Sequence, residues 1–261
     1  MKIKTIVWLT VFSIAMGYLE SAVVIYLRKI YYPGGFKFPL VPMESDIIWV
    51  ELFREAATLI MLLGVGVLSA QKASLRFASF LYCFAVWDLF YYFFLWVFLG
   101  WPGSLFTWDI LFLIPVPWVG PVITPCIISM TMIILSLSVF HFQRQGWDTR
   151  LRANEWGLFG TGSVVIVLSF IWDYWQYVRD LKLSERSNTF SGSQNMFHEI
   201  KDYVPVDFNW FLFLTGEFIL IYATMAFIHR IKNNSTSWQS EVQANQYLQH
   251  QSPHPRQSSD L

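Results

Sequence analysis

Six acids and one arginine sit inside stretches that are otherwise apolar: Glu20, Glu51, Arg54, Glu55, Asp88, Asp173 and Glu217. An ionisable residue at the centre of a membrane helix costs about 2.5–3.5 kcal/mol on insertion scales, so such residues are rare and lean functional. Acids buried near one another can carry protons, bind a cation, or act as general acids and bases. Arg54 is the basic residue expected deepest in a span, and should pair with one or two of the acids. Arg54 with Glu51, Glu55 and Glu20 also fits a plain ion-pair lock between helices. Asp88, Asp173 and Glu217 have no evident basic partner in the sequence. They read as acid/base or ion-binding groups, or as neutral acids held by tyrosine or backbone.

Aromatic residues surround three of the aspartates. Trp87-Asp88-Leu89-Phe90-Tyr91-Tyr92 and Trp172-Asp173-Tyr174-Trp175-Gln176-Tyr177 share a Trp-Asp-x-aromatic-x-Tyr pattern, and Trp108-Asp109 repeats its first two letters. An acid among ring faces suits a cation or a positively charged intermediate. Rings at membrane depth also form interfacial belts, which fits Trp101, Trp108 and Trp156. Glu20, Glu55, Asp88, Asp173 and Glu217 are therefore the candidate catalytic acids. Arg54, Glu51, Asp109, Tyr91, Tyr92, Trp87, Trp172 and Tyr177 are the candidate substrate contacts.

The elements that must carry these residues are long apolar helices. Of 261 residues 55% are hydrophobic, 19% aromatic and only 14% charged, against about 25% charged in soluble domains. The apolar residues come in blocks long enough to cross a bilayer, which takes about 20 residues. Spans are predicted at about 4–27, 47–70, 77–99, 122–142, 156–178 and 209–231. Lys2 and Lys4 precede the first block, and Ala15-Met16-Gly17 resembles a signal-cleavage site. The block continues past Glu20 to Leu27, so it reads as a retained helix. Pro115, Pro117, Pro121 and Pro125 break the stretch before span four, and an irregular or re-entrant piece is expected around Ile114 to Pro121. Residues 233–261 are polar and aperiodic and are expected to be a disordered cytoplasmic tail. The fold class is thus an all-α polytopic transmembrane bundle, with a helical domain over 1–232.

Six spans would place all the acids in one layer, in the halves nearest the loop that follows span one. Lysine and arginine are slightly richer in the loops on the other side, which predicts both termini on the cytoplasmic face. Reporter fusions after Arg76 and Lys232 should be active only with a cytoplasmic reporter; activity of a periplasm-only reporter at either point reverses the orientation.

Standard chemistry motifs are missing from the sequence: it has no Walker loop, GxSxG or HExxH. No His pair at metal spacing lies within a span, and Cys83 and Cys126 read as small buried hydrophobes. A site of carboxylates alone would take only hard cations such as Ca²⁺, Mg²⁺ or Mn²⁺. No metal or cofactor is expected. Zero net charge argues against a nucleic-acid partner.

Several segments resemble a family of uncharacterised bacterial multi-pass membrane proteins. They are Tyr18-Leu19-Glu20-Ser21-Ala22-Val23-Val24-Ile25-Tyr26-Leu27-Arg28, Arg54-Glu55-Ala56-Ala57-Thr58, Trp87 to Tyr92, and the run from Trp108-Asp109-Ile110 through Pro115-Val116-Pro117-Trp118 to Pro121. The resemblance covers about the first half of the chain. It implies a bacterial inner membrane and carries no activity.

Three functions remain open. One is a membrane-embedded enzyme acting on a lipid or isoprenoid-like substrate by acid/base chemistry. The second is a proton- or cation-coupled carrier of small solutes. The third is a non-catalytic subunit of a membrane complex. The expected partners are membrane lipids, with a lipid-soluble small molecule or a cation as ligand; oligomeric state is left open.

Overall fold

In the computed structural model residues 1–187 and 202–251 are described. Six helices dominate: α1 (Ile3–Tyr31), α2 (Ser45–Leu68), α3 (Ala73–Leu99), α4 (Ile123–Arg144), α5 (Ala153–Ser187) and α6 (Trp210–Gln251). Five of them are long and apolar enough to cross a membrane, over Ile3–Tyr31, Ala73–Leu99, Ile123–Arg144, Ala153–Leu181 and Trp210–Asn234. The protein is an integral, multi-pass helical membrane protein. Helix α2 has 24 residues, about 36 Å at 1.5 Å per residue, so it has the length for a sixth crossing. Its first half carries Asp46, Glu51, Arg54 and Glu55, and these charges set it apart from the other five.

The packing has two halves. Helix α1 packs along α3, and α3 along α4, while α5 packs along α6, with α4 touching α6. Close approach is written into small residues. A Cβ on Gly17 of α1 would come 2.9 Å from the Trp87 carbonyl oxygen of α3. A Cβ on Gly216 of α6 would come 2.9 Å from the Gly162 carbonyl oxygen of α5. Both contacts are with backbone, so neither position has room for a side chain. Among the described residues, α1 and α2 both pack against α3 and not along one another.

The proline-rich stretch is a β-hairpin. Strand β1 (Trp108–Phe112) pairs antiparallel with β2 (Trp118–Pro121), and the register slips between Ile110 and Phe112. Pro115 and Pro117 fall in the turn, where no ladder donor is needed. The irregular piece expected around Ile114 to Pro121 is therefore the turn and second strand of a hairpin. Strand β2 rests on α5.

Helix α6 runs on to Gln251, past the boundary at 232 expected for the helical domain. From Asn233 to Gln251 there is no Gly or Pro to end the helix; the first breaker is Pro253. Residues 252–261 lie outside the described residues.

Candidate functional site

A cavity of about 880 Å³ lies between α1, α2 and α3, with the hairpin and the α1–α2 loop closing one end. Helix α1 presents Glu20, Val24, Leu27 and Arg28 to it, spaced so that one face meets the cavity. Helix α2 presents Glu51, Arg54, Glu55 and Thr58 by the same spacing, and α3 presents Trp87, Asp88, Tyr91 and Tyr92. The hairpin adds Asp109 and the apolar run Ile110 to Leu113. The volume is within the range of small-ligand sites, about 300–1,000 Å³.

Charge is unevenly balanced here. Five carboxyls, those of Glu20, Glu51, Glu55, Asp88 and Asp109, share the lining with two guanidinium groups, those of Arg28 and Arg54. Three of the acids are ion-paired. Arg54 donates to Glu20 across the α1–α2 gap and to Glu51 on its own helix at 2.7 Å. Thr58 donates its hydroxyl to Glu20 at 3.2 Å. Arg28 donates to Asp109 at 2.9 Å, and Tyr92 donates to the other Asp109 oxygen at 3.3 Å. The Arg28 guanidinium lies over Trp101 at 3.7 Å and Phe36 at 4.3 Å. Those ring faces recover part of what desolvating the cation costs. Asp109 is only 1% exposed. Burial pushes its carboxyl up to about 6, against the pull of Arg28.

Glu55 and Asp88 are held differently. Each accepts one hydrogen bond from a neutral donor: Glu55 from the Leu113 backbone N–H of the hairpin at 3.0 Å, Asp88 from the Ser129 hydroxyl of α4 at 2.8 Å. Neither is in an ion pair among the described residues. Each bond is made by one carboxyl oxygen, Oε2 or Oδ2. Asp88 is half-buried, on the cavity wall.

The residues expected in one acidic layer divide between this cavity and another part of the bundle. Glu20, Glu51, Arg54, Glu55, Asp88, Asp109, Trp87, Tyr91 and Tyr92 share the cavity. Asp173, Glu217, Trp172 and Tyr177 do not line it. Asp173 accepts the Tyr203 hydroxyl at 2.6 Å and the backbone N–H groups of Val206 and Asp207 at 3.4 and 3.2 Å. It thereby ties the chain entering α6 to the end of α5. Burial and the bond to Asp173 both push the Tyr203 phenol up, so it stays a donor. Tyr177 packs its ring on Tyr203 at 5.2 Å, and Trp172 lies 5.7 Å from Trp175. Glu217 is buried between α6 and α4, where it accepts the Thr131 hydroxyl. These acids sit on the other pair of helices, which a count along each span does not distinguish. The two Trp-Asp-x-aromatic-x-Tyr segments thus do different work.

The span predicted from sequence, 4–27, stops one residue short of Arg28. In the structure α1 continues to Tyr31, and Arg28 is buried, more deeply than Arg54. Its signal was its position one helical repeat below Val24 and two below Glu20. Among the described residues, no group of three or more His, Cys, Asp or Glu is placed to hold a metal ion. No family model matches the chain, and no curated protein or solved structure matches it.

Proposed function

We propose that this protein is a membrane-embedded enzyme that acts on a lipid or isoprenoid-like substrate by acid/base chemistry, with Glu55 and Asp88 as the groups that move protons. The observation that carries this reading is the mixed lining of the cavity. Val24, Leu27, Ile48, Leu52 and the hairpin residues Ile110 to Leu113 line it together with the five carboxyls. An amphiphile fits that lining, with its chain against the apolar side chains and its reacting polar group against the carboxyls. Helices α1 and α2 both pack on α3 and not along one another, which favours entry from the bilayer between them. Glu55 and Asp88 each keep a carboxyl oxygen beyond the one already bonded, and a general acid or base must reach substrate. Arg54 balances Glu20 and Glu51, and these three hold the helices in place around the site.

A proton- or cation-coupled carrier is the second reading, and the excess of carboxyls over guanidinium groups favours it. A carrier needs a route to both faces. Cavity residues begin at Glu20 on α1, end at Thr58 on α2 and begin at Trp87 on α3, so they all lie towards one end of the bundle. That one-sidedness supports the enzyme. By the lysine and arginine distribution, this end faces away from the cytoplasm, with the chain in a bacterial inner membrane.

Membranes containing the parent protein should change the amount of at least one lipid species on incubation, read by mass spectrometry of lipid extracts. Glu55→Gln and Asp88→Asn should each slow that change by about 100-fold or more, the usual contribution of a positioned acid or base. An unchanged lipid profile with the parent protein, together with proton-coupled solute uptake in vesicles, would replace the enzyme with the carrier.

A further inference from the structure

A second cavity, of about 710 Å³, lies at the opposite end of α3. It is formed by the start of α3 and the α4–α5 loop, and it shares no residue with the acidic cavity. Its charge has the other sign: Lys72 and Arg150 line it with one acid, Asp148. Asp148 is 3.9 Å from Arg150 and both side chains are largely in solvent, so the lining keeps one cation in excess.

The floor is built and held. Ser74 and Thr149 share a hydrogen bond at 2.9 Å, and Thr149 donates to Gln143 at 3.0 Å. Thr149 is 1% exposed. Trp147 stacks on Phe142 at 5.2 Å with the rings 15° apart, which fixes one wall. Lys72 is the N-cap of α3 and makes no side-chain cap bond, so the first-turn N–H groups of α3 lack that partner. Free N–H groups at a helix start, beside a lysine and an arginine, are donors suited to phosphate oxygens. Trp156 also lines the cavity, is 48% exposed, and packs against Phe77 at 4.8 Å. An exposed indole at a helix end is suited to the boundary between headgroups and acyl chains.

We infer that this cavity binds the phosphate of an anionic phospholipid, with Lys72 and Arg150 supplying the charge and Trp156 marking where the acyl chains leave. The site is independent of the acid/base reading above and would stand if that reading failed.

The test uses the full chain in detergent, with phosphatidylglycerol, phosphatidylcholine and inorganic phosphate as separate probes. Retention is read by native mass spectrometry and stabilisation by thermal unfolding. The parent protein should retain phosphatidylglycerol in preference to phosphatidylcholine. The double variant Lys72→Gln, Arg150→Gln should bind it on the order of 30-fold more weakly, from about a factor of five per surface cation. Both side chains are exposed, so the variant should unfold at the parent's temperature when no lipid is added. Equal protection by inorganic phosphate, lost in the same variant, would keep the phosphate site and assign it to a soluble phosphate. Equal retention of phosphatidylglycerol by parent and variant would overturn the inference.

Discussion

Replacing Arg28 by methionine is expected to lower stability by about 3–5 kcal/mol, the usual result of leaving one member of a buried ion pair alone. Asp109 would keep the Tyr92 hydroxyl but lose its counter-charge, in a position 1% exposed. The ring contacts of Arg28 with Trp101 and Phe36 would go too. Thermal unfolding in detergent reads the loss. Hydrogen exchange over residues 108–121 locates it, because Asp109 pins the hairpin to α1 and α3. Adding Asp109→Leu to Arg28→Met should recover most of the stability, since replacing a whole buried pair by apolar residues is often neutral or better. A single variant as stable as the parent would mean that the pair does not anchor the hairpin. A double variant with no recovery would move the effect to ring packing.

Arg54→Gln should lose about 3 kcal/mol, at the lower end of the same range because its side chain is 20% exposed. Two acids depend on it, Glu20 on α1 and Glu51 on α2. Since α1 and α2 do not pack along each other, the Arg54–Glu20 bond is a direct tie across their gap. The variant should therefore show faster hydrogen exchange in α2 while α5 and α6 keep their protection. Adding Glu20→Gln should restore part of the loss by removing one stranded charge. Equal exchange in α2 before and after the substitution would reject Arg54 as the tie. Glu55 and Asp88 give the contrast. Each is held by a neutral donor, so Glu55→Gln and Asp88→Asn should leave stability closer to the parent's while removing turnover.

Much of the site was legible in the chain because charges inside apolar runs are conspicuous. Glu51, Arg54, Glu55 and Thr58 follow one helical face, and that spacing alone put them on a common wall. Asp88 stood out by its depth in a run with no other charge. Asp173 and Glu217 were just as conspicuous, and they misled for a physical reason. Depth along a span is set by counting residues, but the side a helix turns to its neighbours is set by which helices touch. Helices α5 and α6 close on each other at Gly162 and Gly216, while Asp173 of α5 meets Tyr203 and Glu217 of α6 meets Thr131 of α4. The hairpin was half legible. Prolines ruled out a helix over 115–121, but strand pairing depends on contacts between residues up to 13 positions apart, such as Trp108 with Pro121.

The cavity with which the proposal began is divided in the same way. The sequence by itself determined that this is a multi-pass helical membrane protein and that its acids lie in apolar helices. Both follow from local composition, because a bilayer demands about 20 apolar residues per crossing and penalises every charge within them. Tertiary structure decided which acids share a wall, which of these are neutralised by Arg28 and Arg54, and which two on that wall are left with neutral partners. Those outcomes depend on distances between helices far apart in the chain, and no local pattern encodes them. The same charge that marks Glu20 as unusual in the sequence is, in the fold, one half of a bond to Arg54; Asp88, no more unusual on paper, faces the cavity.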